Sequence, residues 1–257
     1  VLDVMANTLH LGGQLGTNPA FHIIGAGGEE GFASRMPEIL VGQIAKAGVT
    51  TVVGLLGTDT MTRHMACLHA KASQLWAEGI TTYIYTGGFE LPPTTLTGSV
   101  VNDLVLIDKV IGTGEIAISD GRWIDPLLDP LAHIVVQTVT GGKMAGKAGV
   151  VHFHTGPGKR RLGLLHELLD CYDLPAEAIY PTHINRSEAL VDDAVTLARR
   201  GCFVDRDTGE EDEVGLAAAD DREEALDLGL IVRMDEPEDA GGVGHGLGAR
   251  DTEERLD

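Results

Sequence analysis

Short runs of β-forming residues alternate with amphipathic stretches along most of the chain, and this alternation constrains the fold more than any other feature. The runs are rich in Val, Ile, Thr, Phe and Tyr. Strands that alternate with helices are typical of βα units around a parallel sheet. Eight runs therefore predict an α/β fold of the TIM-like (β/α)8 barrel type. They cover residues 21–24, 50–56, 81–86, 115–119, 150–155, 178–184, 202–205 and 230–234.

The stretches between these runs follow the 3.6-residue period of an amphipathic helix. Residues 36–48 predict a helix with Pro37 in its first turn and Gly48 as its stop. Residues 160–172 and 187–201 repeat the pattern. A chain of 257 residues suits one large domain, and a hydrophobic content of 43% is enough for a core.

The two ends of the chain differ from its middle. Residues 1–19 lack periodicity and are interpreted as a degenerate N-terminal segment. Residues 20–243 form the predicted barrel domain. From about Asp205 the chain becomes acidic and rich in glycine. Residues 244–257 are therefore predicted to be an acidic, disordered tail.

The charge balance restricts the partners. The chain carries 39 acidic and 19 basic residues, which gives a formal net charge of −20. Such a charge argues against nucleic acid or an anionic membrane as a partner. Only six of the bases are lysines. An acidic surface poor in lysine indicates a halophilic protein, and an ordinary acidic cytosolic protein is the alternative.

Cysteine usage and hydropathy predict a cytoplasmic location. The three cysteines lie far apart without a C-x-x-C spacing, which is typical of a reducing compartment. No run approaches the ~18 apolar residues of a membrane span. The first ten residues do not have the pattern of a secretory signal.

Polar side chains recur at the predicted strands in positions that suit a metal site. His22 lies in the first strand, Glu115 opens the fourth, His154 ends the fifth and His183 ends the sixth. In a TIM barrel the active site forms at the carboxyl ends of the strands. Imidazole and carboxylate ligands suit Zn²⁺ or a similar divalent ion. His152, two residues before His154, is predicted to pack in the core or to support a ligand.

Several longer stretches together resemble isoaspartyl dipeptidase (β-aspartyl dipeptidase) of the metal-dependent amidohydrolase superfamily. They are "VVGLLGTDTMTRH" (52–64), "TGGFELPPTTLTGSVVNDLVLIDKVIGTGEIAISDGR" (86–122), "HFHTG" (152–156) and "PTHINR" (181–186). The resemblance covers roughly residues 20–205. It implies an amidohydrolase barrel and a binuclear zinc site that cleaves dipeptides linked through the β-carboxyl group of aspartate. It also implies a small dipeptide as the binding partner, and a homo-oligomer if the chain is intact.

The resemblance also implies metal ligands. His22 matches the second histidine of a His-x-His pair in the first strand. His154 and His183 match the two histidines of the second metal. Glu115 falls where the family has a bridging carboxylate. Asp239 matches the aspartate that is both metal ligand and catalytic base.

Substrate contacts are implied in the same way. Glu29, with Gly27 beside it, resembles the residue that receives the α-ammonium group of the substrate. Thr58, Arg122 and Arg186 resemble the groups that hold its carboxylates. An arginine fork suits a carboxylate because the contact is bidentate and charge-assisted.

Some positions depart from the family pattern. Ala20 stands where the first histidine of the His-x-His pair is expected, so one metal loses a ligand. Phe89 stands where a tyrosine would polarise the scissile carbonyl of the bound substrate. Asp235 competes with Asp239 for the catalytic position. The small β-sandwich of the family is largely missing, so a truncated or frame-disrupted enzyme is the expectation for the ends.

Three hypotheses follow about function. The first is hydrolysis of β-aspartyl dipeptides by a metal-bound hydroxide, with activity that these departures could impair. The second keeps the superfamily and changes the substrate to a cyclic amide or an N-acyl amino acid. The third is a catalytically inactive or truncated amidohydrolase remnant.

Overall fold

A computed structural model describes residues 8–10, 14–16, 20–28 and 31–205. The predicted strand at 230–234 and the predicted tail at 244–257 lie outside these residues. The proposed division of the chain at residues 20 and 243 therefore stays a prediction.

Six parallel strands form one sheet in sequential order, and five helices connect them. The strands are β3 (Ala20–Phe21), β4 (Thr51–Gly54), β5 (Thr81–Thr86), β6 (Val110–Ile118), β7 (Val150–Thr155) and β8 (Ile179–Thr182). The connecting helices are α1 (Val41–Lys46), α2 (Met65–Ala77), α3 (Val100–Leu106), α4 (Leu128–Ala145) and α5 (Gly163–Cys171), and α6 (Glu188–Arg199) follows β8. Sequential parallel order with helical crossovers is the topology of a (β/α)8 barrel. The predicted fold is confirmed for this part of a barrel.

A separate antiparallel pair precedes the sheet. It consists of β1 (Thr8–His10) and β2 (Gln14–Gly16). The sequence analysis did not predict these strands, because residues 1–19 carry no clear alternation of apolar and polar residues.

The core has an outer layer and an inner layer. The outer layer lies between the sheet and the helices and includes Ile84, Leu104 and Phe153. The inner layer is a smaller cluster around Val53 and Tyr85. Successive side chains of a strand point to opposite faces, so each strand contributes to both layers.

The predicted helices form, with different bounds. Gly48 follows the C-terminal cap of α1 with a φ of 75°, as expected for a helix stop. Pro37 was wrongly predicted to lie in the first turn, because α1 begins only at Val41. Ser187 caps α6 by accepting a hydrogen bond from the Leu190 amide.

The prediction of a strand at residues 202–205 is wrong in detail. These residues form no regular strand, but they lie beside β8. The Asp205 amide donates to the Pro181 carbonyl at 3.0 Å, and the Ile184 amide donates to the Asp205 carbonyl at 3.3 Å. Two isolated backbone hydrogen bonds do not form a β-ladder. They do keep residues 202–205 at the edge of the sheet.

No helix among the described residues combines the length and the apolar character that a membrane crossing requires.

Candidate active site

A bulge in β6 turns Glu115 toward the inside of the barrel. Between Thr113 and Ile116 the strand advances three residues, while β7 advances only two, from Val151 to Phe153. Thr113 contacts α4 through Thr138 at 2.7 Å, so it faces outward. Without the extra residue, Glu115 would share that outward face. Contrary to the sequence prediction, Glu115 therefore lies within β6 rather than opening it.

Three predicted ligands meet at the carboxyl ends of β6, β7 and β8. Their ligand atoms all lie within 4.8 Å of one another. His154 Nδ1 is 2.8 Å from Glu115 Oε1, and His183 Nε2 is 3.4 Å from the same oxygen. His183 follows β8 directly and has a φ of 62°. This left-handed conformation is uncommon for a residue with a side chain and occurs often at functional sites.

The electrostatics of the cluster keep Glu115 ionised. Burial alone would raise the pKa of Glu115, but the charges and hydrogen bonds of His154 and His183 outweigh burial. The pKa of this carboxyl is therefore well below its usual range. An ionised carboxylate beside two imidazoles is the form that coordinates a metal.

The donor set fits a divalent transition metal. Two imidazole nitrogens and one carboxylate oxygen, all buried, are ligands that zinc and related ions accept. Among the described residues these three ligands lie together, and histidine with carboxylate is a ligand combination found in catalytic zinc sites. The cluster of Glu115, His154 and His183 is therefore the candidate metal centre.

Asp120 is a site residue that the sequence analysis missed. Its carboxylate is buried at the end of β6, and its Oδ2 lies 3.1 Å from His154 Nε2. It also accepts two side-chain hydrogen bonds from Arg122, from Nε at 3.0 Å and from Nη2 at 2.7 Å. The hydrogen bonds from His154 and Arg122 lower the pKa of Asp120 below its usual range. Its place after a strand, in "ISDGR", was the available signal.

Arg122 and Phe89 adjoin the metal ligands. The Arg122 guanidinium lies over the Phe89 ring at 5.3 Å from the ring centroid. The centroids of the Phe89 and His154 rings are 4.5 Å apart. Phe89 is buried, whereas Arg122 is partly exposed. The predicted substrate group Arg122 therefore lies beside the candidate metal centre.

Arg63, which is buried, organises the described parts of the loop after β3, residues 24–28 and 31–36. The Arg63 guanidinium donates to the carbonyls of Ile24, Ala26, Gly27 and Met36. Gly27 has a φ of +72°, and a Cβ there would lie 2.3 Å from the Ser34 carbonyl oxygen. The loop therefore requires glycine at this predicted substrate position.

The remaining predicted residues have different placements. His22 follows β3 and lies against Gly57, where an added Cβ would meet the His22 ring at 2.1 Å. His22 is outside the three-residue metal group, so its role as a ligand stays a prediction. Thr58 is half-buried in the loop after β4. Arg186 is exposed, at the end of the 3-10 helix Ile184–Arg186 that follows His183.

Glu29 lies outside the described residues, as do Asp239 and its alternative Asp235. Nothing in the structure tests their predicted roles. For Ala20 the structure describes the backbone, which lies in β3, but not the side chain.

His152 packs inside the barrel. Its ring stacks on Tyr85 at 5.3 Å and meets Tyr180 edge to face at 5.1 Å. It was predicted to pack in the core or to support a ligand, and the aromatic contacts agree with packing.

Solved structures of β-aspartyl dipeptidases and of a phosphotriesterase homology protein share this fold. The β-aspartyl dipeptidase from the thermophilic keratin-degrading Fervidobacterium islandicum AW-1 matches with 44% identity and a TM-score of 0.72, over 78% of this chain and 52% of that one. The complex of that organism's enzyme with the β-Asp-Leu dipeptide matches with 48% identity and a TM-score of 0.71, over 73% of this chain and 50% of that one. A phosphotriesterase homology protein from Escherichia coli, with phosphate in its active site, shares 16% identity and a TM-score of 0.53, over 79% of this chain and 70% of that one. No protein-family model matches the chain.

The sequential parallel strands fit part of an amidohydrolase-type (β/α)8 barrel, the fold of these neighbours. Over the matched region the chain is a homologue of the β-aspartyl dipeptidases, and the resemblance predicted from the sequence is confirmed. The chain spans about half the length of these solved dipeptidases.

Proposed function

We propose that this chain hydrolyses β-aspartyl dipeptides at the site formed by Glu115, His154 and His183. One observation carries the proposal. A buried metal-type cluster and an arginine suited to a carboxylate lie side by side, with Arg122 Nη2 3.1 Å from His154 Nε2. The identity of 44–48% to β-aspartyl dipeptidases supports the same reaction class.

Glu115, His154 and His183 would hold a divalent ion, proposed to be Zn²⁺, with His22 as a further ligand. When bound, such an ion is a Lewis acid that acidifies water and polarises a carbonyl oxygen. The family resemblance assigns a second metal position, which the replacement of a ligand histidine by Ala20 would weaken. Asp239 would complete the ligand set, with Asp235 as the alternative.

The residues that the family resemblance assigns to the substrate would account for its choice. Arg122, Arg186 and Thr58 would hold its carboxylates, since arginine pairs with a carboxylate through two charge-assisted hydrogen bonds. Glu29 and Gly27 would hold its α-ammonium group. Asp239 would accept a proton from the attacking water and return it to the leaving amine.

The first test is hydrolysis of β-Asp-Leu by the purified chain. Zinc-loaded protein is expected to release leucine, and chelated protein is expected to lose this activity and regain it when zinc is restored. Ordinary α-linked Asp-Leu is the control substrate and should be cleaved poorly. A folded, zinc-loaded chain that releases no leucine in low or high salt would contradict the proposal.

The same assay separates the alternatives. N-acetylleucine and a hydantoin represent the N-acyl amino acid and the cyclic amide. Turnover of either probe without turnover of β-Asp-Leu would favour the second hypothesis. Tight zinc binding without turnover of any probe would favour the inactive remnant.

Several features stay predictions alongside this proposal. They are zinc as the metal, a cytoplasmic location, adaptation to high salt and assembly into a homo-oligomer. The three cysteines are free thiols, which is compatible with a reducing compartment.

A further inference from the structure

Asp120 joins the candidate metal centre to the predicted substrate arginine. Its Oδ1 accepts from the backbone amide of Arg122 at 2.9 Å and from Arg122 Nε at 3.0 Å. Its Oδ2 accepts from Arg122 Nη2 at 2.7 Å and lies 3.1 Å from His154 Nε2. One buried carboxylate therefore contacts both a predicted metal ligand and a predicted substrate group.

The turn that carries Asp120 is fixed by the loop after β7. Ser119 has a φ of 52°, and its carbonyl accepts from the Gly158 amide at 2.7 Å. Its hydroxyl accepts from the Arg161 amide at 2.7 Å. A Cβ at Gly156 would lie 2.5 Å from the Asp120 Cα. Glycine at 156 thus allows the loop to press against the turn and to hold the Asp120 backbone in place.

We propose that Asp120 is a positioning residue that aligns the Arg122 guanidinium with a carboxylate of the dipeptide. The inference rests on the proposed function, because it assigns Arg122 to a substrate carboxylate. Asp120 itself does not touch the substrate.

The physical reason is the freedom of an arginine side chain. The Arg122 side chain is 45% exposed, and an unanchored arginine loses rotamer entropy when it binds a ligand. The two-bond contact with Asp120 restricts the guanidinium before the substrate arrives. The Phe89 ring beneath it restricts it further. Preorganisation of this kind strengthens binding because less entropy is lost on association.

His154 takes part through the same oxygen. With a metal ion bound, Nε2 would carry the ring proton and donate to Asp120 Oδ2, and the Nδ1 lone pair on the side of Glu115 would be available to the ion. A carboxylate that orients a metal-binding histidine in this way is a common arrangement. The contact between Arg122 Nη2 and His154 Nε2 is then a close approach of two donors that share one acceptor.

A double-mutant cycle tests the positioning role with the zinc-loaded chain and β-Asp-Leu. Asp120→Asn keeps the shape but replaces one accepting oxygen with an NH2 group, which cannot accept from the guanidinium. We expect D120N to raise KM about tenfold, the usual effect of losing a hydrogen bond to a charged group. A change in kcat would report the lost contact of Asp120 with His154, so KM is the readout for Arg122. In the Arg122→Ala background, D120N is expected to have little further effect on KM.

Asp108→Asn is the matched control. Asp108 is exposed and precedes β6 at the end opposite to Asp120, so the charge change is the same and the site is untouched. We expect D108N to leave KM and kcat unchanged. Independent, multiplicative effects of D120N and R122A on KM would overturn the proposal.

The Arg122 Nε proton gives a readout that does not depend on activity. In ¹⁵N spectra, its hydrogen bond to Asp120 Oδ1 predicts slow exchange with water in the wild-type protein and fast exchange in D120N. The Arg122→Lys variant identifies the signal by its disappearance. Fast exchange in the wild-type protein would overturn the proposal even if D120N does not fold.

The two readouts distinguish the failures. If the wild-type chain does not cleave β-Asp-Leu but the Arg122 signal is protected and depends on Asp120, the proposed function fails and the anchoring of Arg122 by Asp120 stands. If β-Asp-Leu is cleaved and the signal is unprotected, the positioning role fails alone.

Discussion

At the scale of single residues, Phe89 brings a ring but no hydroxyl group to the candidate site. Its centroid is 4.5 Å from that of His154, and the Arg122 guanidinium lies over its face. The family resemblance leads us to expect a tyrosine here, whose hydroxyl would polarise the scissile carbonyl. Restoring that donor by Phe89→Tyr is expected to raise kcat for β-Asp-Leu on the order of 10²-fold, since one such donor has an effect of that size. Steady-state kinetics measure the change.

Phe89→Leu separates the hydroxyl from a change of packing. It removes the ring and adds no donor, so we expect kcat to stay equal or to fall. A similar gain in both variants would show that space, rather than the hydroxyl, limits the reaction. An unchanged kcat in F89Y, with normal zinc content, would contradict the predicted role.

At the scale of elements, the bulge in β6 brings Glu115 into the candidate metal centre. Gly114 precedes Glu115, has a φ of +149°, and leaves room for the His152 carbonyl, which a Cβ would approach to 2.6 Å. Gly114→Ala is therefore expected to strain the bulge and to lower the free energy of unfolding by about 1–3 kcal/mol. Because Glu115 would also shift, zinc affinity should fall. Thermal denaturation and zinc competition measure the two effects.

Gly42→Ala is the matched control for this substitution. Gly42 lies within α1, and a Cβ there meets nothing within 4 Å. Alanine forms a helix better than glycine by about 1 kcal/mol, so G42A should preserve or raise stability and leave zinc affinity unchanged. If G114A matched G42A in both measurements, the bulge would have no special role.

The sequence predicts the strands, the helices and the types of metal ligand well. It predicts poorly which face of a strand a given side chain occupies. Alternating runs revealed β4 to β8 because local residue preference and burial agree there. The inward turn of Glu115 was beyond this reasoning, since it depends on one extra residue in β6 relative to β7. Asp120 was missed for a related reason. Its role appears only when Arg122, two residues away, and His154, 34 residues away, converge on one carboxylate.

At the scale of the whole molecule, the formal charge of −20 predicts a protein that salt stabilises. Like charges repel in the compact state, and the Debye length falls from about 10 Å at 0.1 M salt to about 3 Å at 1 M. We expect screening to add ~2 kcal/mol to stability, which corresponds to a rise in Tm of roughly 4–8 °C for a chain of this size. Calorimetry in 0.1 M and 1 M KCl measures the change in Tm, with sucrose as an uncharged control. Asp173→Asn and Asp192→Asn combined remove two exposed charges and should raise Tm at low salt and reduce its salt dependence. A Tm that is equal at both salt concentrations would favour an ordinary acidic protein over a halophilic one.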